Sequence, residues 1–115
     1  MQPSKRERAL IAVVDGLEAE LRRMQLWEPD PPSGELLASP QPFCADTLAL
    51  QQWIQWLLIP RMRRIFAGDG EMPTSSAIHP YAEDVFEHLD DPHTLLLLIE
   101  RFDGLIRDET AAVTH

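Results

Sequence analysis

A single cysteine, Cys44, leaves no partner for an internal disulfide, a usage that suits a reducing cytosol. No apolar stretch approaches the ~20 residues that a membrane-spanning helix needs; the longest lie around Trp56 to Pro60 and Leu95 to Ile99. The opening residues MQPSKRERAL are followed by no apolar run of signal length, so the chain is expected to be soluble and cytoplasmic. Gly-rich phosphate loops, Cys-x-x-Cys pairs and a G-x-S-x-G elbow are all missing, which removes the common nucleotide-loop, redox and serine-hydrolase signatures. Positive charge is scarce in one half. Residues 69–115 hold 2 basic and 11 acidic residues, whereas residues 1–68 hold 8 of each, so the net charge of −9 sits C-terminally. Such a half repels phosphate backbones, so direct nucleic-acid binding is not expected; it attracts a basic partner surface or is simply a solvated face.

What is present is helical periodicity, enough for one all-α domain over residues 1–115, a length that buries about two-thirds of the unfolded surface. The dominant stretch, Phe43 to Phe66, reads as a central helix starting at Asp46 or Thr47, either of which suits an N-cap. Leu50, Trp53, Ile54, Leu57 and Leu58 share one arc, while Leu48, Trp56, Ile59 and Phe66 lie with Gln52 and Gln55 on the other side. Two apolar faces imply either a fully buried helix or a partner face, and Trp56, Ile59 and Phe66 are the candidate interaction surface, for a homodimer or another protein. Pro60 predicts a kink or break after Trp56, because it has no N–H for the Trp56 carbonyl and its ring crowds that group. If the helix continues, Arg61 falls on the apolar arc, where its guanidinium requires a carboxylate or carbonyls, and it is the candidate structural ion pair; if the break resets the phase, Arg61 reaches solvent.

Around this helix the pattern predicts a four-helix bundle. Helix 1 should run from about Ser4 to Met24 or Leu26, with Leu10, Val14, Leu17, Leu21 and Met24 as its seam. Gly16 either admits a neighbouring helix closely or is a tolerated glycine, and Gly104 poses the same question. Lys5, Arg6 and Arg8 read as a solvated basic patch. A long Pro-rich loop, 29–42, follows, a strap over the bundle anchored by Trp27, Leu36, Leu37 and Phe43. The central helix should end near Gly68, with Arg61, Arg63 and Arg64 complementing its dipole. A short helix is expected from about Pro80 to Leu89 and a last one from Asp91-Pro92, with Asp as N-cap and Pro at the first position, to about Asp108. Residues 110–115 should fray.

Gln41-Pro42-Phe43, Asp46-Thr47, Gln52-Trp53-Ile54-Gln55-Trp56, Leu58-Ile59-Pro60-Arg61-Met62 and Pro80-Tyr81-x-Glu83 resemble the YqcC-like family of small bacterial proteins. The resemblance implies an all-helical bundle and, through gene neighbourhood, an association with a tRNA pseudouridine synthase. It brings no catalytic or binding residue with it, and Cys44 stands where a bulkier apolar residue is expected.

Two further constellations bear on chemistry. His79 with Glu83, and Asp84 with His88, are each four apart and share a helix face, but no Glu-x-x-His pair of the di-iron bundle type occurs. Glu83, Asp84, Glu87, Glu100 and Asp103 resemble the EExxE…ExxD pattern of all-helical, MazG-like nucleotide pyrophosphohydrolases, with Asp84 in place of Glu. That resemblance implies Mg²⁺ held between facing helices. A chain this acidic yields such spacings by chance, and no basic cluster nearby receives the phosphates. The preferred reading is a non-enzymatic interaction or adaptor protein without cofactor or metal, and the hydrolase is the alternative.

Overall fold

The computed structural model describes residues 3–113, with side chains described up to Arg107, and contains helices and no strand among the described residues. The first helix, α1 (Lys5–Arg23), begins where Ser4 accepts a bond from the Glu7 N–H at 3.0 Å. It closes with Gln25 in the left-handed region (φ 62°), the Leu26 N–H reaching the Leu21 carbonyl at 2.9 Å, a helix end more often given to glycine. Leu10, Val13, Val14, Leu17 and Leu21 are buried along one side.

The segment after α1 contains more structure than a plain loop. Ser33 caps a single turn, α2 (Gly34–Leu37), and a tight turn follows at Pro42–Cys44. Phe43 and Cys44 both have positive φ (57° and 49°), an uncommon conformation for non-glycine residues. That turn delivers the Phe43 ring between two others: it stacks on Tyr81 at 5.0 Å and meets Trp53 edge-on at 5.1 Å. Cys44 is buried, with its thiol toward the carbonyls of Leu37 and Ser39.

The central helix starts later than its capping residues suggest. Asp46 accepts from the Ser39 hydroxyl and Thr47 donates to the Leu36 carbonyl, so both hold the strap rather than an N-terminus. Helix α3 (Leu50–Trp53) begins beyond them, with the Ala49 N–H donating to Gln52 Oε1 at 2.8 Å. It runs into a wide π-type turn at Ile54–Leu58, then into α4 (Ile59–Phe66). In that turn the Ile59 N–H reaches back five residues to the Ile54 carbonyl, immediately before Pro60. The chain therefore stays helical past the proline, the extra residue widening the backbone where the ring would crowd it. Gly68 (φ 92°) ends α4, as Asp69 N–H bonds the Arg64 carbonyl at 2.9 Å.

Helix α5 (Ile78–Val85) starts two residues before Pro80 and stops before Leu89. Helix α6 (His93–Val113) is the longest. Its first carbonyl acceptor is Pro92, which receives the Leu96 N–H at 2.9 Å, while Asp91 has φ 49°; Asp91 is part of the turn and not the cap. The helix extends to Val113, and 114–115 lie outside the described residues. Packing is centred on α6, against which both α1 and α5 lie, with α4 against α1. Gly16 is the close approach: a Cβ there would stand 3.2 Å from Leu98 Cδ2, whereas one at Gly104 would meet nothing within 4 Å. Arg6 also joins α1 to α6, donating to the carbonyls of Leu105 (2.6 Å) and Ile106 (3.1 Å), so it is not a solvated residue. Arg63 joins α4 to α1 through Asp15 (3.2 Å) and Glu18 (2.7 Å).

Candidate functional site

The acidic residues of the last two helices do not converge. Glu83 and Asp84 on α5, Glu87 in the turn after it and Glu100 on α6 are exposed, and among the described residues no group of three metal-type side chains comes together. Asp103 differs: it is 2% exposed, and three donors meet its carboxylate. Ser76 Oγ (2.5 Å) and the Ile78 N–H (3.1 Å) reach Oδ1, and the His79 N–H (2.8 Å) reaches Oδ2. Asp103 is thus an N-cap supplied across the fold, satisfying first-turn donors of α5 that Ala77, with no polar side chain, cannot. The His79 imidazole then sits between two carboxylates, Nδ1 3.5 Å from Glu83 and Nε2 3.7 Å from Glu100. Because opposite ring nitrogens face the two acids, these three side chains do not address one ion as placed. In the structure this spacing holds a helix cap, Asp103, and the exposed acids Glu83, Asp84, Glu87 and Glu100.

The wide turn at Ile54–Leu58 corrects the reading of the central helix. One additional residue advances the phase by about 100°, so Met62 (0% exposed) takes the buried place in which Arg61 was expected. Arg61 is exposed and makes no ion pair among the described residues. The same shift separates the candidate interaction surface. Ile59 is in the core at 1% exposure, and Phe66 is half-buried against that core. Trp56 is half-buried and donates its indole N–H to Glu28 Oε1 at 3.1 Å.

Glu28 explains the Gln-Trp-Ile-Gln-Trp run. Gln52 Nε2 lies 3.2 Å from both its carboxylate oxygens, Gln55 Oε1 accepts its N–H at 2.9 Å, and Gln55 Nε2 donates to its carbonyl at 2.7 Å. Gln55 is 3% exposed, a buried amide whose donor and acceptor are both used. The start of the Pro-rich strap is therefore clamped to the central helix, and Arg22 covers the neighbouring Trp27 ring at 4.6 Å. A cleft of about 730 Å³ lies beside this clamp, lined by Trp27, Trp56, Pro29 and Pro60.

On another side the strap, the central helix and the 73–77 loop border an open groove of about 740 Å³. Half-buried Leu37, Phe43, Trp53 and Leu57 line it with buried Met62 and Phe102. Arg61, Arg64 and Arg107 line it too; all three are exposed. From the sequence, Arg61 and Arg64 are helix-end charges, Arg61 is also the candidate ion pair, and Arg107 is not singled out. Their meeting around an apolar groove depends on α6 and on the strap, elements distant in sequence.

A family model described as tRNA pseudouridine synthase C matches residues 9–105. The chain is also 36% identical over 100 residues to the uncharacterized protein YqcC of Escherichia coli (strain K12), covering 85% of this chain and 91% of that one. The chain belongs to the YqcC-like family. The solution NMR structure of YqcC from E. coli has the same YqcC-like fold, with a TM-score of 0.76, 32% identity and 91% of each chain covered. A further match is partial. Over 59 residues the chain is 34% identical to a protein of Pectobacterium carotovorum named tRNA pseudouridine synthase C, covering 51% of this chain and 16% of that one.

Proposed function

We propose that this protein is a non-enzymatic interaction module that works with a tRNA pseudouridine synthase. The observation that carries the reading is the partial match: a segment similar to half of this chain occurs inside a protein named for that activity. A helical unit joined to an enzyme in one chain is held at millimolar-range local concentration; the same unit as a separate chain requires a docking surface. The acids that would serve the rival hydrolase are otherwise engaged or dispersed, Asp103 by three donors and Glu83 and Glu100 by solvent and His79. In this reading the four longer helical stretches act as one bundle turned at Pro60, the protein works in the cytosol without metal or cofactor, and tRNA is met by the synthase alone. The partner is a protein, either the synthase or a second copy of this chain.

The test is a pull-down of the intact protein from cells that express the synthase, followed by calorimetric titration of the two purified chains. A saturable complex at micromolar concentrations is expected. Absence of heat and of co-purification, with both chains folded, removes the reading. Sedimentation of the chain alone identifies self-association.

A further inference from the structure

The groove between the strap and the central helix has a chemistry that the rest of the chain does not. The protein carries a net charge of −9, yet Arg61 and Arg64 on α4 and Arg107 on α6 converge on this groove. None of the three side chains forms an ion pair or a hydrogen bond among the described residues, whereas Arg22, Arg23 and Arg63 each hold a carboxylate of α1. Asp69 and Glu71 line an adjoining cleft with Arg61 and Arg64 without reaching ion-pair distance. Leaving three guanidiniums unpaired among the described residues of an acidic protein forgoes neutralisation, and their planar forks match carboxylates two bonds at a time. Between them the lining is apolar: Leu37, Phe43, Trp53 and Leu57 remain half-buried, with room for side chains from outside.

We propose that this groove docks a short acidic segment of a partner protein, with one or two large apolar side chains set against Trp53 and Leu57 and carboxylates against Arg61, Arg64 and Arg107. The identification of the occupant as a peptide rests on the reading of the chain as an interaction module. Charge complementarity names its sign. Polyanionic RNA fits less well: the acidic C-terminal half repels a long phosphate chain, while a few carboxylates need only three local cations. The strained turn at Phe43 and Cys44 has a part in this. By turning Phe43 onto Tyr81 and Trp53 it forms one wall of the groove.

The experiment pans a phage-displayed library of random peptides, about twelve residues long, against the intact protein, and measures selected peptides by fluorescence anisotropy over a salt series. Expected are peptides pairing Asp or Glu with Leu, Phe or Trp, whose affinity falls about tenfold or more in the double variant Arg61→Glu, Arg64→Glu and whose salt dependence flattens there. The single variant Arg107→Glu repeats the loss from the other wall. Lys-for-Glu versions of the peptides should recover affinity for the reversed groove. All three substitutions are at exposed positions, and melting temperature checks the fold. Selection of peptides lacking carboxylates, indifference to the reversals, or displacement of the peptide by poly(U) at equal charge would overturn the proposal. The two readings separate cleanly. A synthase that still binds the double variant unimpaired sinks the groove and leaves the interaction module standing. Peptides that bind as described while no synthase complex forms support the groove and remove the tie to the synthase.

Discussion

Asp103 shows how much one residue can decide. Its carboxylate is the only polar side chain that the described structure offers to both leading N–H groups of α5, and it comes from 25 residues away along the chain. Replacement by Ala leaves the Ile78 and His79 N–H groups and the Ser76 hydroxyl without their acceptor, at about 1–3 kcal/mol for a buried donor left unpaired. The expected loss is about 2–4 kcal/mol, read from urea unfolding, with α5 amides losing exchange protection first. A loss confined to catalysis or metal affinity, with stability intact, would contradict the cap. A smaller effect is expected at Glu18. Hydrogen bonds from Arg22 and Arg63 hold its carboxyl below the ordinary value of 4.5. A depressed folded-state value means the stabilisation is present above the unfolded pKa and disappears as pH falls through the folded one. Glu18→Gln should therefore cost about 0.2–1 kcal/mol at neutral pH, and the gap to wild type should close as pH drops below 4.5. A gap that widens in acid would show the sign to be wrong.

At the scale of the element, the wide turn before Pro60 sets what the central helix shows to its neighbours. In a regular helix Arg61 would enter the core and Met62 would leave it. With the extra residue the roles are exchanged, and paired substitutions read this directly. Met62→Ala should cost about 2–5 kcal/mol as a buried truncation, and Arg61→Ala no more than about 0.5 kcal/mol as a surface change. The opposite order would restore the regular helix. The strap presents a second case. Gln55 holds both the N–H and the carbonyl of Glu28, so Gln55→Ala should expose that junction. Faster hydrogen exchange at the Glu28 amide, with α6 amides unchanged, is the expected result; uniform loss of protection would make Gln55 a global core residue instead.

The whole molecule is organised around α6, with Glu83, Asp84, Glu87 and Glu100 exposed and three arginines lining one groove. Dispersed acids bind divalent ions weakly, so millimolar Mn²⁺ should leave the melting temperature nearly unchanged and nucleoside triphosphates intact. A Mn²⁺-dependent rise that disappears in Glu83→Gln would favour the hydrolase over the interaction module. By the same charge argument, tRNA should bind no tighter than about 1 μM at physiological salt, the range of nonspecific electrostatic contact.

The all-helical class, the seam of α1 and the helix ends at Gly68 and near Ser4 were legible in the residues alone, because each depends on local backbone geometry or on a period within one element. The residues around Gln52-Trp53-Ile54-Gln55-Trp56 were conspicuous as well, but not what they hold. Glu28 is 24 residues from Gln52, and its clamp exists only once the strap has folded back. Arg61 was misread for a related reason: the phase of a helix crossing Pro60 depends on which of two turn widths better buries Ile59 and Met62, a choice made by the neighbouring helices. Asp103 resembled a metal ligand because spacing records which helix face a carboxylate occupies, and not what faces it. The tertiary structure alone decided that backbone N–H groups of α5 lie opposite, since only packing brings α5 and α6 together.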